Sequence, residues 1–299
     1  MKTYLECIPC FFRQAIEASK LAGASPTAQR RVLNKLAKAL PVFSLAGSPP
    51  EMGKVIYGIV NQVTKKKDPY ARIKTESNQR ALRLYPRLKK KVERSHDRLG
   101  TAVELAIAGN IIDYGVKNSL NVERELQKIL TTENRLMKNN GSAFFQYTRF
   151  RRSLDKAKTI LYLADNAGEV VFDRILIEEI KRRDPCQRIY YAVKSMPSIN
   201  DALIEDAKMC GIAQIAEIVT NGSDAPGTVL SLCSPSFWYL FRNADMVISK
   251  GQGNFESLSS ATRPVFFLFM AKCSVVADHI GGKMGDIVLR YHPGEKVRQ

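Results

Sequence analysis

Two hydrophobic periods divide the chain. Through residues 1–150 apolar positions recur three and four apart, the spacing of one helical face. Phe11-Phe12, Ala15-Ile16 and Ala18 lead into Val32-Leu33-Leu36-Ala37 and Leu40, interrupted by Pro and Gly over 45–50. Met52, Val55, Ile56, Ile59, Val60 and Val63 define an amphipathic helix, and Lys65-Lys66-Lys67 after it reads as a solvated charge run. Asp68-Pro69-Tyr70 opens a segment carrying Lys74 and Asn78. Leu82, Leu84 and Leu88 with Lys89-Lys90-Lys91 predict another helix whose outer face is basic. Residues 101–116 are mostly apolar, so that helix is predicted to be buried. It carries Asn110 and Asp113 on one face, beside Gly109. Such groups are tolerated there only if hydrogen-bonded internally or lining a wet cleft.

From about residue 155 the period changes. Short β-branched and aromatic runs at 159–164, 188–193, 215–219, 245–249, 264–270 and 286–290 alternate with helical patterns. That alternation predicts βαβ units and a mainly parallel sheet. The expected organisation is an all-helical domain over 1–150 and an α/β domain over 151–299.

In open α/β sheets ligands bind beyond the carboxyl ends of the strands. The first run ends in Asp165-Asn166-Ala167-Gly168-Glu169. The second leads through Lys194 and Ser198 to Asp201, expected in the first turn of a helix capped by Ser198. Two carboxylates and an amide oxygen are hard oxygen ligands, suited to Mg²⁺ or Mn²⁺ with water or phosphate completing the set. The fourth run enters Lys250-Gly251-Gln252-Gly253-Asn254-Phe255-Glu256, whose glycines permit close backbone approach to an anion. It matches neither the Walker A nor the dinucleotide glycine pattern. Lys272-Cys273 closes the most apolar run, Val265–Met270. Singly each turn is ordinary; together they read as a metal–phosphate site.

Charge sharpens the picture. Of 299 residues, 46 are Lys or Arg and 29 Asp or Glu, for a net charge of +17. Residues 1–150 hold 27 basic against 12 acidic residues, whereas 151–299 hold 19 against 17. A basic half suits an anionic partner, a phosphorylated small molecule or nucleic acid, or is simply a solvated helical surface. The six cysteines do not form a secreted disulfide framework, and Cys7 and Cys10 are the only close pair. His96, His279 and His292 are scattered, which disfavours a histidine metal site or triad. No run of 18 apolar residues or signal-peptide layout is present, so a cytoplasmic location is expected.

Cys7-Ile8-Pro9-Cys10, Asp68-Pro69-Tyr70, Gly109-Asn110-Ile111-Ile112-Asp113, Asp165-Asn166-Ala167-Gly168-Glu169, Lys250–Glu256 and Lys272-Cys273 occur in one order across nearly the whole chain. In this the sequence resembles the damage-control phosphatase family, and within it the archaeal branch with paired N-terminal cysteines. The resemblance implies a helical N-terminal domain on a Rossmann-like α/β domain. It also implies metal-dependent hydrolysis of phosphate monoesters on damaged or surplus phosphometabolites such as sugar phosphates and nucleotides. Asp165, Asn166 and Asp201 match the family's metal ligands, with Mn²⁺ or Mg²⁺ expected and Ni²⁺ or Co²⁺ admissible. Segment 252–256 and Lys272 match its substrate-phosphate contacts. Lys272 is expected to act with Asp165 in catalysis, and Glu169, Lys250, Gln252, Asn254 and Asn110 to contact substrate. The resemblance also implies that Cys7, Cys10 and Cys273 meet in space. Eukaryotic members carry an Asp and an Arg in the later loop and an Arg-Thr-x-Lys stretch. Here Gln252 and Glu256 fill the loop, and Phe269-Met270-Ala271 precede Lys272.

Three functions remain on the residues alone. A metal-dependent phosphatase would use Asp165 either as a metal ligand or as a nucleophile. A nucleic-acid-binding protein would use the basic half, yet the basic runs lack interleaved aromatics and any known binding motif. A Rossmann-type methyltransferase is disfavoured because no glycine-rich loop follows the first strand.

Overall fold

The computed structural model describes residues 1–117 and 142–295, with the backbone alone over 110–117. Asn110, expected to contact substrate, and Asp113 have side chains outside the described residues.

Three helices come first: α1 (Cys7–Leu21), α2 (Pro26–Ala39) and α3 (Pro49–Thr64). Their starts follow local chemistry. Ser25 accepts a hydrogen bond from the Ala28 amide ahead of Pro26, and Ser48 and Glu51 form a capping box around Pro49. Phe11, Ala15, Val32, Leu36, Met52, Ile56 and Val60 make a core of their own, joined by Tyr57 and Tyr70.

Helix α4 (Ala71–Arg94) is a single element where the sequence predicts two segments. Pro86 lies on its exposed side, and the buried series Lys74, Asn78, Ala81, Leu88 and Val92 continues across it. The one backbone bond that proline removes is outweighed by a face buried at both ends. Helix α5 (Arg98–Lys117) follows. Its Leu99, Val103, Leu105 and Ile107 share a core with α4 and one face of the sheet. As expected, its described part is buried.

The α/β region runs α6 (Tyr147–Leu154), β1 (Thr159–Leu163), α7 (Val170–Arg183), β2 (Arg188–Val193), α8 (Ile204–Met209), β3 (Glu217–Thr220), α9 (Pro235–Asn243), β4 (Met246–Lys250), α10 (Gln252–Leu258), β5 (Val265–Met270), α11 (Ser274–Ile280) and β6 (Ile287–His292). All six expected strands are present within about two residues, the usual scatter of element ends. The sheet order is β3-β2-β1-β4-β5-β6, with five parallel strands and an antiparallel β6. Helices α4, α5 and α7 cover one face through Leu88, Val103, Phe172 and Ile175. Helices α9, α10 and α11 cover the other through Phe237, Phe255, Leu258 and Val276. This is the mainly parallel α/β architecture expected from the sequence. Strand order reverses between β1 and β4, which pair Leu163 with Ser249, so the carboxyl ends of these two strands flank the crevice.

Candidate active site

The turn after β1 lies in that crevice and is stitched to the β2–α8 connection by backbone bonds. The Ala202 amide donates to Asp165 O at 2.9 Å and the Ala167 amide to Asn200 O at 2.9 Å, with an antiparallel bridge between Asn166 and Asp201. Asp201 is therefore beside Asp165 and Asn166, as expected, but not for the expected reason. It is not in a helix: Ile199 is left-handed at φ 45°, the Asp201 amide closes a turn on Ser198 O, and α8 begins only at Ile204. Asp206, rather than Ser198, caps α8, its carboxylate accepting the Leu203 amide at 2.9 Å.

Asn166 donates its Nδ2–H to Asp165 Oδ2 at 3.1 Å and to Glu169 Oε1 at 3.0 Å, which turns its amide oxygen away from those carboxylates. Burial, reinforced by Glu169 and Asp201, pushes the Asp165 carboxyl well above its ordinary range, against the opposing pull of Lys272 and Lys250. Crowded, buried carboxylates favour any added positive charge. Lys194, almost wholly buried, supplies part of it at 3.5 Å from Asp201 Oδ2. Gly251 passes so close that a Cβ there would stand 1.9 Å from Asp165 Oδ2.

Among the described residues no three His, Cys, Asp or Glu side chains form a ready-made metal cage. Two carboxylates and an amide nevertheless fit Mg²⁺ or Mn²⁺, which retain water and phosphate ligands.

The remaining candidates divide by burial. Lys250 and Asn254, expected among substrate contacts, are 0% exposed and committed internally. Lys250 Nζ donates to Asp173 Oδ1 at 2.9 Å and Glu169 Oε2 at 3.2 Å. Asn254 Nδ2 donates to Ala164 O and Lys250 O, and its Oδ1 accepts from Thr228, so it ties β1, β4 and the loop after β3 together. Glu169 is likewise buried between Asn166 and Lys250. Gln252 and Lys272 are half-buried; Gln252 Oε1 accepts the Lys272 amide at 2.8 Å, and its Nε2 donates to Glu256 at 2.9 Å and to Cys273 Sγ at 3.6 Å. Burial pushes Glu256 up to about 7.

Cys7, Cys10 and Cys273 are free thiols, Cys10 exposed and the other two half-buried. Burial raises the pKa of the Cys7 and Cys273 thiols.

Several participants carried little sequence signal. Asp173 sits in an otherwise apolar helical stripe, Val170 to Ile180, which is the one cue to a buried acid. Asn78 reaches from α4 to bind the Gly168 amide at 2.7 Å and Asp206 at 2.6 Å. Lys74 pairs with Asp68 at 2.7 Å, and Tyr57 packs edge-on to Tyr70. The small helical core also packs against Ile199 of the β2–α8 connection. It is held there by the close fit of Gly53 on Pro226, where a Cβ would meet the ring at 2.7 Å.

The fold defines a Rossmann-like α/β protein with an oxygen-rich crevice at its topological switch point. Comparison with known proteins gives it a family. Residues 3–288 match the model of the damage-control phosphatase ARMT1-like domain, and the chain belongs to that family. It is 33% identical to a damage-control phosphatase of Pyrococcus horikoshii over 96% of this chain and 97% of that protein. It is 37% identical to a damage-control phosphatase of Archaeoglobus fulgidus over 79% of this chain and 80% of the other. The crystal structure of a DUF89 family protein from Pyrococcus horikoshii superposes with a TM-score of 0.84 at 31% identity, covering 97% of this chain and 99% of that one.

Proposed function

We infer that the protein is a divalent-metal-dependent phosphatase acting on phosphate monoesters of small metabolites. The observation that carries this reading is the convergence of Asp165, Asn166 and Asp201 at the β1–β4 crevice. Relatives named damage-control phosphatases support it. Damaged or surplus sugar phosphates and nucleotides are the proposed substrate class.

Asp165, Asn166 and Asp201 would hold the cation. When bound, it supplies polarisation of the phosphoryl oxygens and charge neutralisation. Lys272, half-buried and close enough to act on Asp165, balances charge growing on the transferred phosphoryl group. Asp165 has two roles open to it. As nucleophile, a carboxylate oxygen attacks phosphorus, the ester P–O bond breaks, the leaving oxygen takes a proton from water, and a second water cleaves the acyl phosphate. As ligand only, it leaves the attack to water.

The test is a screen of phosphate monoesters with chelated protein resupplied with Mn²⁺, Mg²⁺, Ni²⁺ or Co²⁺. Release of inorganic phosphate that needs one of these ions supports the reading. Equal release in excess chelator contradicts it.

A further inference from the structure

A buried chain of hydrogen bonds runs from the middle of the sheet to the candidate cation ligands. Tyr162 on β1 and Tyr191 on β2 are paired in register and stacked, with ring centroids 5.4 Å apart. Both hydroxyls converge on one carboxylate of α7: Tyr162 donates to Asp173 Oδ1 at 2.7 Å and Tyr191 to Oδ2 at 2.8 Å. Lys250, from the end of β4, donates to the same Oδ1 at 2.9 Å and onward to Glu169 Oε2 at 3.2 Å. The other oxygen of Glu169 accepts from the Asn166 amide at 3.0 Å, and that amide also donates to Asp165. Asp173, Lys250, Tyr162 and Tyr191 are each 0% exposed, and none can reach a substrate.

An isolated buried ion pair is costly against apolar residues of the same volume, so stability alone is a poor reason for this arrangement. Its chemistry points toward the site. Burial would strip the proton from Lys250, but the Asp173 and Glu169 carboxylates reverse this and hold it as ammonium. Burial and the adjacent Asp173 likewise keep both tyrosines protonated, as donors. Asp173 therefore has three donors and a fixed orientation. Its hold on Lys250 sets where the ammonium meets Glu169, and Glu169 in turn sets the rotation of the Asn166 amide.

We propose that Asp173 is a positioning residue for the cation site: clamped by Tyr162 and Tyr191, it orients Asn166 through Lys250 and Glu169. This rests on the metal-binding reading above. Partners that orient a ligand in this way change metal affinity by about 10–100-fold when altered.

The test is calorimetric titration of Mn²⁺ into chelated wild type, Asp173→Asn, Glu169→Gln and the double variant. The expected result is a Kd raised about 10-fold or more by Asp173→Asn, with the double variant no weaker than Glu169→Gln alone, as for residues acting in series. A wild-type Kd in Asp173→Asn, or losses that multiply in the double variant, overturns the proposal; a purely structural acid would lower Tm and leave the Kd alone. Should Asp173→Asn not fold, Tyr162→Phe and Tyr191→Phe each remove one bond to Asp173 and keep the ring. A weaker Mn²⁺ Kd in these supports the clamp, and an unchanged Kd in both overturns it. Wild-type protein that takes up no Mn²⁺ overturns the metal reading itself, and this inference with it.

Discussion

Gly251 offers the sharpest single perturbation. Its backbone sits at φ 81° and ψ 159°, a region open to glycine and closed to other residues, at a cost on the order of 1–3 kcal/mol for alanine. A Cβ there would lie 1.9 Å from Asp165 Oδ2, inside any permissible contact, so either the carboxylate or the β4–α10 turn must move. A misplacement of about 1 Å at reacting groups costs on the order of 10²-fold. Gly251→Ala is expected to lower Tm by a few degrees, at roughly 2 °C per kcal/mol for a chain of this size. It is also expected to lower kcat/KM for phosphate esters by about 10²-fold or more. Gly58→Ala is the control. That glycine is exposed on α3 with nothing within 4 Å of an added Cβ, so the change should leave turnover intact and stabilise by about 0.5–1 kcal/mol. Thermal unfolding and steady-state kinetics of the three proteins decide the matter. Gly251→Ala with wild-type Tm and wild-type kcat/KM would refute the close approach of this turn to Asp165.

Two further outcomes are expected. Lys272→Met should leave stability within about 0.5 kcal/mol yet lower kcat/KM by on the order of 10²-fold, and should weaken inhibition by inorganic phosphate; kinetics equal to wild type would remove Lys272 from the site. Glu179 is buried on α7 and accepts from Arg98 at 2.6 and 3.0 Å and from Arg182 at 2.7 Å. Burial alone would raise its carboxyl, but these bonds outweigh burial and hold it below the ordinary glutamate range. A depressed folded pKa gives stability that is present above the unfolded value and lost as pH falls through the folded one. Glu179→Gln should therefore cost about 1–3 kcal/mol at neutral pH and flatten the fall of stability below about pH 4.5, as measured by denaturant titration across pH 3–7.

Much of this was legible in the sequence because strands and their exits leave strong local marks. The β-branched runs located all six strands, and the acidic and glycine-rich turns after β1 and β4 fell at the switch point. What escaped notice depends on long-range packing. The helix through Pro86 persists because Leu88 and Val92 are buried beyond it. Asp201 reaches the site through a left-handed Ile199 and a bridge to Asn166, neither of which has a periodic signature. Lys250 reads as a cation for substrate; only the fold reveals that Asp173, on another element, occupies it. Tyr162 and Tyr191 look like ordinary strand aromatics, and their hydroxyls acquire meaning only when β1 and β2 pair in register.

The central claim is that Asp165, with Asn166 and Asp201, forms a cation site that hydrolyses phosphate monoesters. Its most direct test is inorganic phosphate release by Asp165→Ala and wild type, side by side, with Mn²⁺ and with excess chelator. Removing one acid from a crowd of like charges relieves repulsion in the metal-free protein, so the variant should fold with a Tm at or above that of wild type. Wild-type turnover is expected with Mn²⁺ alone, and none in the variant under either condition; undiminished turnover in the variant, or in the wild type with chelator, would contradict the account.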